Sequence, residues 1–384
     1  MTLITDNKAL AAFCHEVAGA EYLTVDTEFM REKTYWPELC LVQVAGPGAA
    51  AAIDPLAPGI DMTPLFDLLN DPAIRKVFHA ARQDLEIFLK LTGRLPLPVF
   101  DTQVAAMVCG FGESVGYETL IAKLTRARID KSSRFTDWAR RPLTEKQIKY
   151  ALSDVTHLRP AYEKLRAQLE KNGREAWLEE EMAKLAEPTT YLPDPRETYR
   201  RIKSRGAKPR QMAILRELAA WRELEAQKRN LPKNRVLRDE ALVEIAHHTP
   251  QDPDQLERIR GLGRGLAHGP MGQAVLAAVR AGMEMPEADW PQAPQVRPLP
   301  RGIGPAADLL KMFLKMRSDA TGVASRLIAS AAEVEQLAAF GEESDVPALY
   351  GWRREIYGAE ALKLRDGQFG IALNDGKPVL VPTV

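Results

Sequence analysis

The sequence predicts an α/β domain followed by two small, wholly helical modules. Three observations carry that prediction. Strand-like and helix-like segments alternate over the first ~190 residues. Helical patterns take over after the proline-rich turn segment EPTTYLPDPRET, which begins at Glu187. A second interruption, with prolines at 286, 291, 294, 298, 300 and 305, divides the helical part in two.

Tyr22–Phe29 (YLTVDTEF) reads as a strand, as do Leu39–Val44, Ala49–Ile53 and Lys76–Phe78. Helical patterns cover Met62–Leu69, Arg82–Leu91, Gln103–Val108 and Glu118–Leu124. A long helix is expected from Thr144 to about Leu169, opened by Thr144 with Gln147 three residues on, a capping-box pair. Arginines and lysines then cluster between Arg196 and Arg210, with Glu197 alone opposing them. The two helical stretches read as a degenerate repeat. LRELAAWRELEAQ and LLKMFLKMRSDAT open them, RVLRDEALVEIA and RLIASAAEVEQLA follow, and a glycine turn comes next in each. Asn374-Asp375-Gly376 between short apolar runs predicts a terminal hairpin. The expected boundaries are 1–190 for the α/β domain, 191–208 for a basic linker and 209–285 for the first helical module. A proline-rich linker at 286–301 and a divergent second module with the hairpin at 302–384 complete the chain.

At 384 residues the chain is too long for one ordinary core. Its 52 basic and 52 acidic residues balance, so total charge announces no polyanionic partner, although binding follows local potential. Three cysteines without a CxxC pair argue against a disulfide framework and against a zinc site. The start MTLITDNKAL lacks the features of a signal peptide, and no apolar run approaches the roughly 20 residues of a membrane span. The expectation is a cytoplasmic protein with no membrane association.

The sharpest local signal is Val25-Asp26-Thr27-Glu28-Phe29. Alternate residues of a strand share a face, so Asp26 and Glu28 stand side by side on an otherwise apolar strand. Adjacent like charges repel and resist desolvation, and a hard divalent cation relieves both problems; the competing arrangement is a strand end with solvated acids. Asp84 falls in the first turn of the helix after Lys76–Phe78, where the helix dipole alone also favours an acid. Tyr150 and Asp154 are four apart on the long helix and project together, either toward one point or as a half-buried phenol beside a solvated acid.

An acid pair DxE on an early strand, an Asp opening a later helix, and YxxxD on a closing helix form the pattern of the DEDD exonucleases with tyrosine in the last motif. YWPELCLVQVA (Tyr35–Ala45), FDTQVAA (Phe100–Ala106) and the stretch Asp130–Leu158 resemble ribonuclease D in particular. The helical modules resemble its paired HRDC domains. The likeness spans nearly the whole chain and weakens after the second linker.

That resemblance implies a ribonuclease H-like fold, with a five-stranded mixed sheet, flanking helices and carboxylates gathered on one edge. It implies a 3′→5′ exoribonuclease that uses two divalent cations, Mg²⁺ or Mn²⁺, and releases 5′-mononucleotides. Asp26 would bridge both ions, Glu28 and Asp154 would complete the first site, and Asp84 would hold the second. Tyr150 would orient the attacking water near the first ion, or also accept its proton. The family further suggests RNA, in particular tRNA precursors, as substrate, and a monomer.

Phe29 is placed to carry a terminal base or sugar, or else belongs to the core. Arg31, Tyr35, Lys131 and Arg134 are candidate substrate contacts, with Lys33, Arg140 and Arg141 as further cations for backbone phosphates, and solvated surface charge is the alternative. His79 and His157 read as structural, and Asp54 and Asp101 as turn and cap residues. Two rival functions are the same chemistry on DNA and an inactive RNA-binding scaffold; the latter would have lost one of the acids, and all four are present.

Overall fold

The computed structural model describes residues 2–130, 132–204, 206–291 and 297–383. The first part is a mixed sheet with helices on both faces. In chain order it contains β1 (Thr2–Ile4), α1 (Asn7–Val17), β2 (Tyr22–Met30), β3 (Glu38–Ala45), β4 (Ala50–Ile53) and α2 (Thr63–Asn70). There follow β5 (Arg75–Phe78), α3 (Arg82–Thr92), β6 (Val99–Asp101), α4 (Thr102–Val108) and α5 (Tyr117–Thr125), then α6 (Glu145–Thr156), α7 (Leu158–Asn172) and α8 (Glu175–Leu185).

The strand order is β1-β4-β3-β2-β5-β6, with β2–β3 and β3–β4 antiparallel and the other pairs parallel. The sheet thus has six strands where five were expected. The addition, β1, pairs Thr2–Ile4 with Ala51–Ile53, and three residues are too few to show a period of two. The acid-bearing β2 is an interior strand, so the carboxylates gather at one end of the sheet's middle and not along an edge.

Alternation along β2 decides which helix meets which side chain. Leu23 and Val25 point into a core shared with α1, α2 and α3. Tyr22 and Thr24 point the other way: Tyr22 packs on Tyr162 of α7, and Thr24 Oγ1 donates to the Val155 carbonyl of α6 at 2.8 Å. Asp26 and Glu28 continue that second row.

The long helix expected from Thr144 is two helices. The capping box is formed, with Gln147 N donating to Thr144 Oγ1 at 3.2 Å and Thr144 N donating to Gln147 Oε1 at 3.0 Å. The chain then turns at His157, because Pro160 has no N–H to continue the ladder into α7. Asp101 is the N-cap of α4, as read from the sequence.

Beyond α8 the chain is helical, in two separate cores. The first is built on α9 (Pro209–Arg229), α10 (Lys233–Val236), α11 (Asp239–His248), α12 (Pro253–Glu257), α13 (Arg264–Ala267) and α14 (Pro270–Glu284). The second is built on α15 (Gly304–Thr321), α16 (Ser325–Ile328), α17 (Ala331–Phe340) and the helical run 351–365. Long helix, one short turn and medium helix recur in both, the order that the repeat pattern expects. The stretch 191–208 is not a plain linker: Pro195–Arg201 is a 3₁₀ helix, and Tyr199 and Ile202 are buried in the first helical core. Arginines hid these two apolar anchors from a reading by charge. The hairpin closes the chain as β7 (Phe369–Asn374) and β8 (Lys377–Pro382).

The second helical unit is docked on the α/β domain by buried contacts. Trp177 of α8 stacks on Trp352 at 4.7 Å, and the buried Arg353 binds Glu180 and Glu181. Gly110, at φ 90°, lets the chain approach Gly322 so closely that a Cβ would stand 3.1 Å from its carbonyl oxygen.

Candidate active site

Three carboxylates, from Asp26 and Glu28 on β2 and Asp154 on α6, present oxygens that all lie within 4.8 Å of one another. β2 supplies two of them through its period of two. α6 supplies the third because it packs across β2, β3 and β4 with Asp154 on its inner face. Asp154 is buried, and Asp26 and Glu28 are half-buried.

Asp84 arrives from the opposite side of the sheet, on the first turn of α3. It is held there by Thr27, whose Oγ1 donates to its carboxylate. Thr27 is the middle residue of the DTE triplet, so strand alternation aims it at α3 while its neighbours face α6. One strand therefore organises all four acids. The turn before α3 is fixed as well: Ala80 adopts φ 62°, and Asp101 accepts from the amides of Ala80 and Ala81 at 3.0 and 2.8 Å. Asp101 thus does more than cap a helix.

Electrostatics follow from crowding and burial. The Glu28 carboxyl is pushed up to about 10 by burial, then by Asp26, Asp154 and Asp84. Asp154 is raised to about 7 by burial, against the hydrogen bond from Tyr150 and the charge of Arg134. Asp26 is raised by burial and by Asp154, and Asp84 by burial and by Asp26. Without metal, Tyr150 is driven far above its ordinary range by burial and by Asp154, Glu28 and Asp26. Arg134 is the cation that offsets part of the acidic field at Glu28 and Asp154.

Two adjoining cavities, of about 310 and 500 Å³, share Asp26, His79, Arg134 and Tyr150. Asp154 lines the smaller; Glu28, Phe29, Arg31, Asp84 and Phe135 line the larger. Phe29 both packs on the sheet core and faces the cavity. Tyr117, which sequence reasoning passed over, donates to the Ser153 and Asp154 carbonyls at 3.1 and 2.5 Å and so ties α5 to the acid-bearing turn of α6. A lone tyrosine in a short helix carries no local sign of such a role.

Several sequence candidates have other partners. Arg31 makes a two-pronged ion pair with Glu86 at 2.7 and 2.8 Å on the cavity rim. Tyr35 donates to the buried Glu223 of α9 and accepts from Gln227 at 3.2 Å, which places it at the junction with the first helical core, away from the acids. Arg141 is not a phosphate cation: it clamps Asp54 at 2.6 and 2.7 Å and the Cys40 carbonyl at 2.6 Å. Lys131 lies outside the described residues. His79 bonds Thr102 at 3.0 Å, and His157 marks the junction of α6 and α7.

The donor set suits a hard divalent cation: all the ligating atoms are carboxylate oxygens, and their mutual repulsion is strongest when they are left without one. A mixed sheet with this cluster, followed by a helical module, defines a 3′-5′ exonuclease with an appended HRDC domain. Residues 1–170 match the family of 3′-5′ exonucleases, and residues 211–279 match the HRDC domain. The chain is 50% identical over 383 residues to ribonuclease D of Granulibacter bethesdensis, covering 100% of this chain and 96% of the relative. It is 48% identical over 370 residues to ribonuclease D of Acidiphilium cryptum, covering 96% and 94%. The crystal structure of Escherichia coli RNase D, an exoribonuclease involved in structured RNA processing, superposes with a TM-score of 0.80 at 32% identity, over 95% of this chain and 98% of that one. The chain belongs to the ribonuclease D family, and it is an enzyme of the divalent-metal exonuclease fold. Among the described residues no helix is long and apolar enough to cross a membrane.

Proposed function

We propose that this chain hydrolyses RNA from the 3′ end, releasing 5′-mononucleotides, with Asp26, Glu28, Asp84 and Asp154 holding two divalent cations, Mg²⁺ or Mn²⁺. The observation that carries this reading is the convergence of three carboxylates within 4.8 Å, from a strand and a helix far apart in sequence, with the fourth tethered through Thr27. Such ions, when bound, neutralise the carboxylates and the phosphoryl oxygens and make water a better nucleophile.

The remaining work falls to the protein. Asp26 lies within 4.8 Å of the Glu28 and Asp154 carboxylates and is the charge that most raises Asp84, which supports it as the ligand the two ions would share. Tyr150, hydrogen-bonded to Asp154, is the group that would orient the attacking water there, with acceptance of its proton as the second role open to the phenol. Phe29 offers an apolar wall for the terminal nucleoside. Arg134, facing both cavities, sits where a scissile phosphate would need a counter-charge.

RNA is preferred to DNA on the strength of full-length likeness to ribonuclease D. The substrates we favour are tRNA precursors, trimmed in the cytoplasm by a monomer; three free, buried cysteines suit a reducing compartment. The first helical core, with its flanking basic run, would hold the body of a structured RNA. We read the second as a divergent HRDC module on its like order of helices.

The test compares wild type with Asp154→Asn on a 3′-labelled tRNA precursor, with Mg²⁺ or Mn²⁺ and then with EDTA. Mononucleotide release should require metal and fall by about a thousandfold or more in the variant, while RNA retention survives. Near-normal turnover in Asp154→Asn would remove the assignment. Faster turnover of single-stranded DNA of equal length would favour the DNA reading.

A further inference from the structure

We propose that Phe135 is a stacking platform for the penultimate nucleobase of the RNA 3′ end. The inference rests on the reading of the acid cluster as the hydrolytic centre and adds a substrate-gripping residue to it.

Phe135 leaves 91% of its surface exposed, the most of any large hydrophobic side chain among the described residues. Burying a phenylalanine is ordinarily favourable, so an exposed one held in place invites a partner. It is held in place. Ser133 and Thr136 flank the pair Arg134-Phe135, with Thr136 N and Oγ1 donating to the Ser133 carbonyl at 3.3 and 2.8 Å. Gln147 Nε2 donates to Thr136 Oγ1 at 3.2 Å, and Gln147 itself belongs to the capping box of α6. Ser133 is buried. The turn is therefore anchored through Thr136 to the helix that carries Tyr150 and Asp154, with Ser133 buried at its other shoulder and its two central residues exposed.

Those two residues divide the tasks a strand end requires. Arg134 faces both cavities and moderates the acids, and its guanidinium lies 5.1 Å over the Phe135 ring. Phe135 lines the larger cavity, which also holds Phe29, Glu28 and Asp84. Phe29 is half-buried on the inner wall and suits the terminal nucleoside; Phe135, at the rim, suits the next base out. Every base has a π-face, so such a platform grips single strands without choosing sequence. A paired end hides its penultimate base, so the platform also favours frayed or single-stranded 3′ ends.

The experiment measures kcat and KM on a short, unstructured RNA and on the same RNA with an abasic site at the penultimate position, for wild type, Phe135→Ala and Phe135→Trp. Phe135→Ala should raise KM about tenfold with kcat within about twofold, and Phe135→Trp should restore KM. The abasic site should cost wild type a similar factor in KM and cost Phe135→Ala nothing further. A KM within twofold of wild type for Phe135→Ala, or an abasic penalty that persists in that variant, overturns the proposal. Asp154→Asn in the same assay separates the two claims: if it is inactive while Phe135→Ala behaves as wild type, the platform alone falls.

Discussion

Replacing Asp26 with asparagine should make the metal-free protein more stable while destroying its activity. The Asp154 carboxyl stands at about 7 against an ordinary 3.8, and Glu28 at about 10 against 4.5. Both folded values lie above the unfolded ones, so the folded state keeps protons that the unfolded chain has already released. The contribution of these two groups to the stability of the metal-free protein is then greatest below about pH 4, and declines as pH rises through about 7 and on toward 10. A displacement the size of that at Asp154 corresponds to roughly 4 kcal/mol as an upper bound. Asp26 repels both Glu28 and Asp154, and removing its charge should recover on the order of 1–3 kcal/mol near pH 8. For a domain of this size that is about 2–12 °C in Tm. Thermal melts in EDTA at pH 4 and pH 8 read the difference between variant and wild type, which should be small at the lower pH and large at the higher. With saturating Mg²⁺ or Mn²⁺ the order should reverse, because wild type gains binding free energy that the variant cannot match. A variant less stable than wild type in EDTA at pH 8, or an advantage independent of pH, would refute the reasoning.

Two further substitutions test the supporting shell. Thr27→Val removes the hydroxyl that holds Asp84 at constant volume; kcat and metal affinity should fall about 10- to 100-fold, with Thr27→Ser close to wild type, as metal titrations of activity would show. Tyr150→Phe should lower kcat by about 100-fold with little change in KM; a pH–rate profile that keeps its shape would assign the phenol to positioning, and a lost alkaline limb would assign it base chemistry.

The parts of the site legible in the sequence were those set by local periodicity. DTE on a strand places Asp26 and Glu28 together whatever the fold, and four residues of helix do the same for Tyr150 and Asp154. The same alternation also contained the role of Thr27, but which helix lies on its side of the sheet is a tertiary fact. Elements that stayed illegible are short or interrupted: β1 and β6 have three residues each, and the division of α6 from α7 depends on one proline beyond the turn. Tyr35 and Arg141 looked like phosphate contacts because exposed-looking polar residues in loops give no hint of distant partners. Their bonds to Glu223 and Asp54 span 188 and 87 residues, and no window of sequence contains both ends.

Anomalous diffraction from crystals soaked in Mn²⁺ tests the central claim most directly. Two peaks should appear at the end of β2, both in contact with Asp26, one completed by Glu28 and Asp154 and the other reached by Asp84. A single ion without Asp84, or manganese bound elsewhere with the four acids left bare, would contradict the two-ion site.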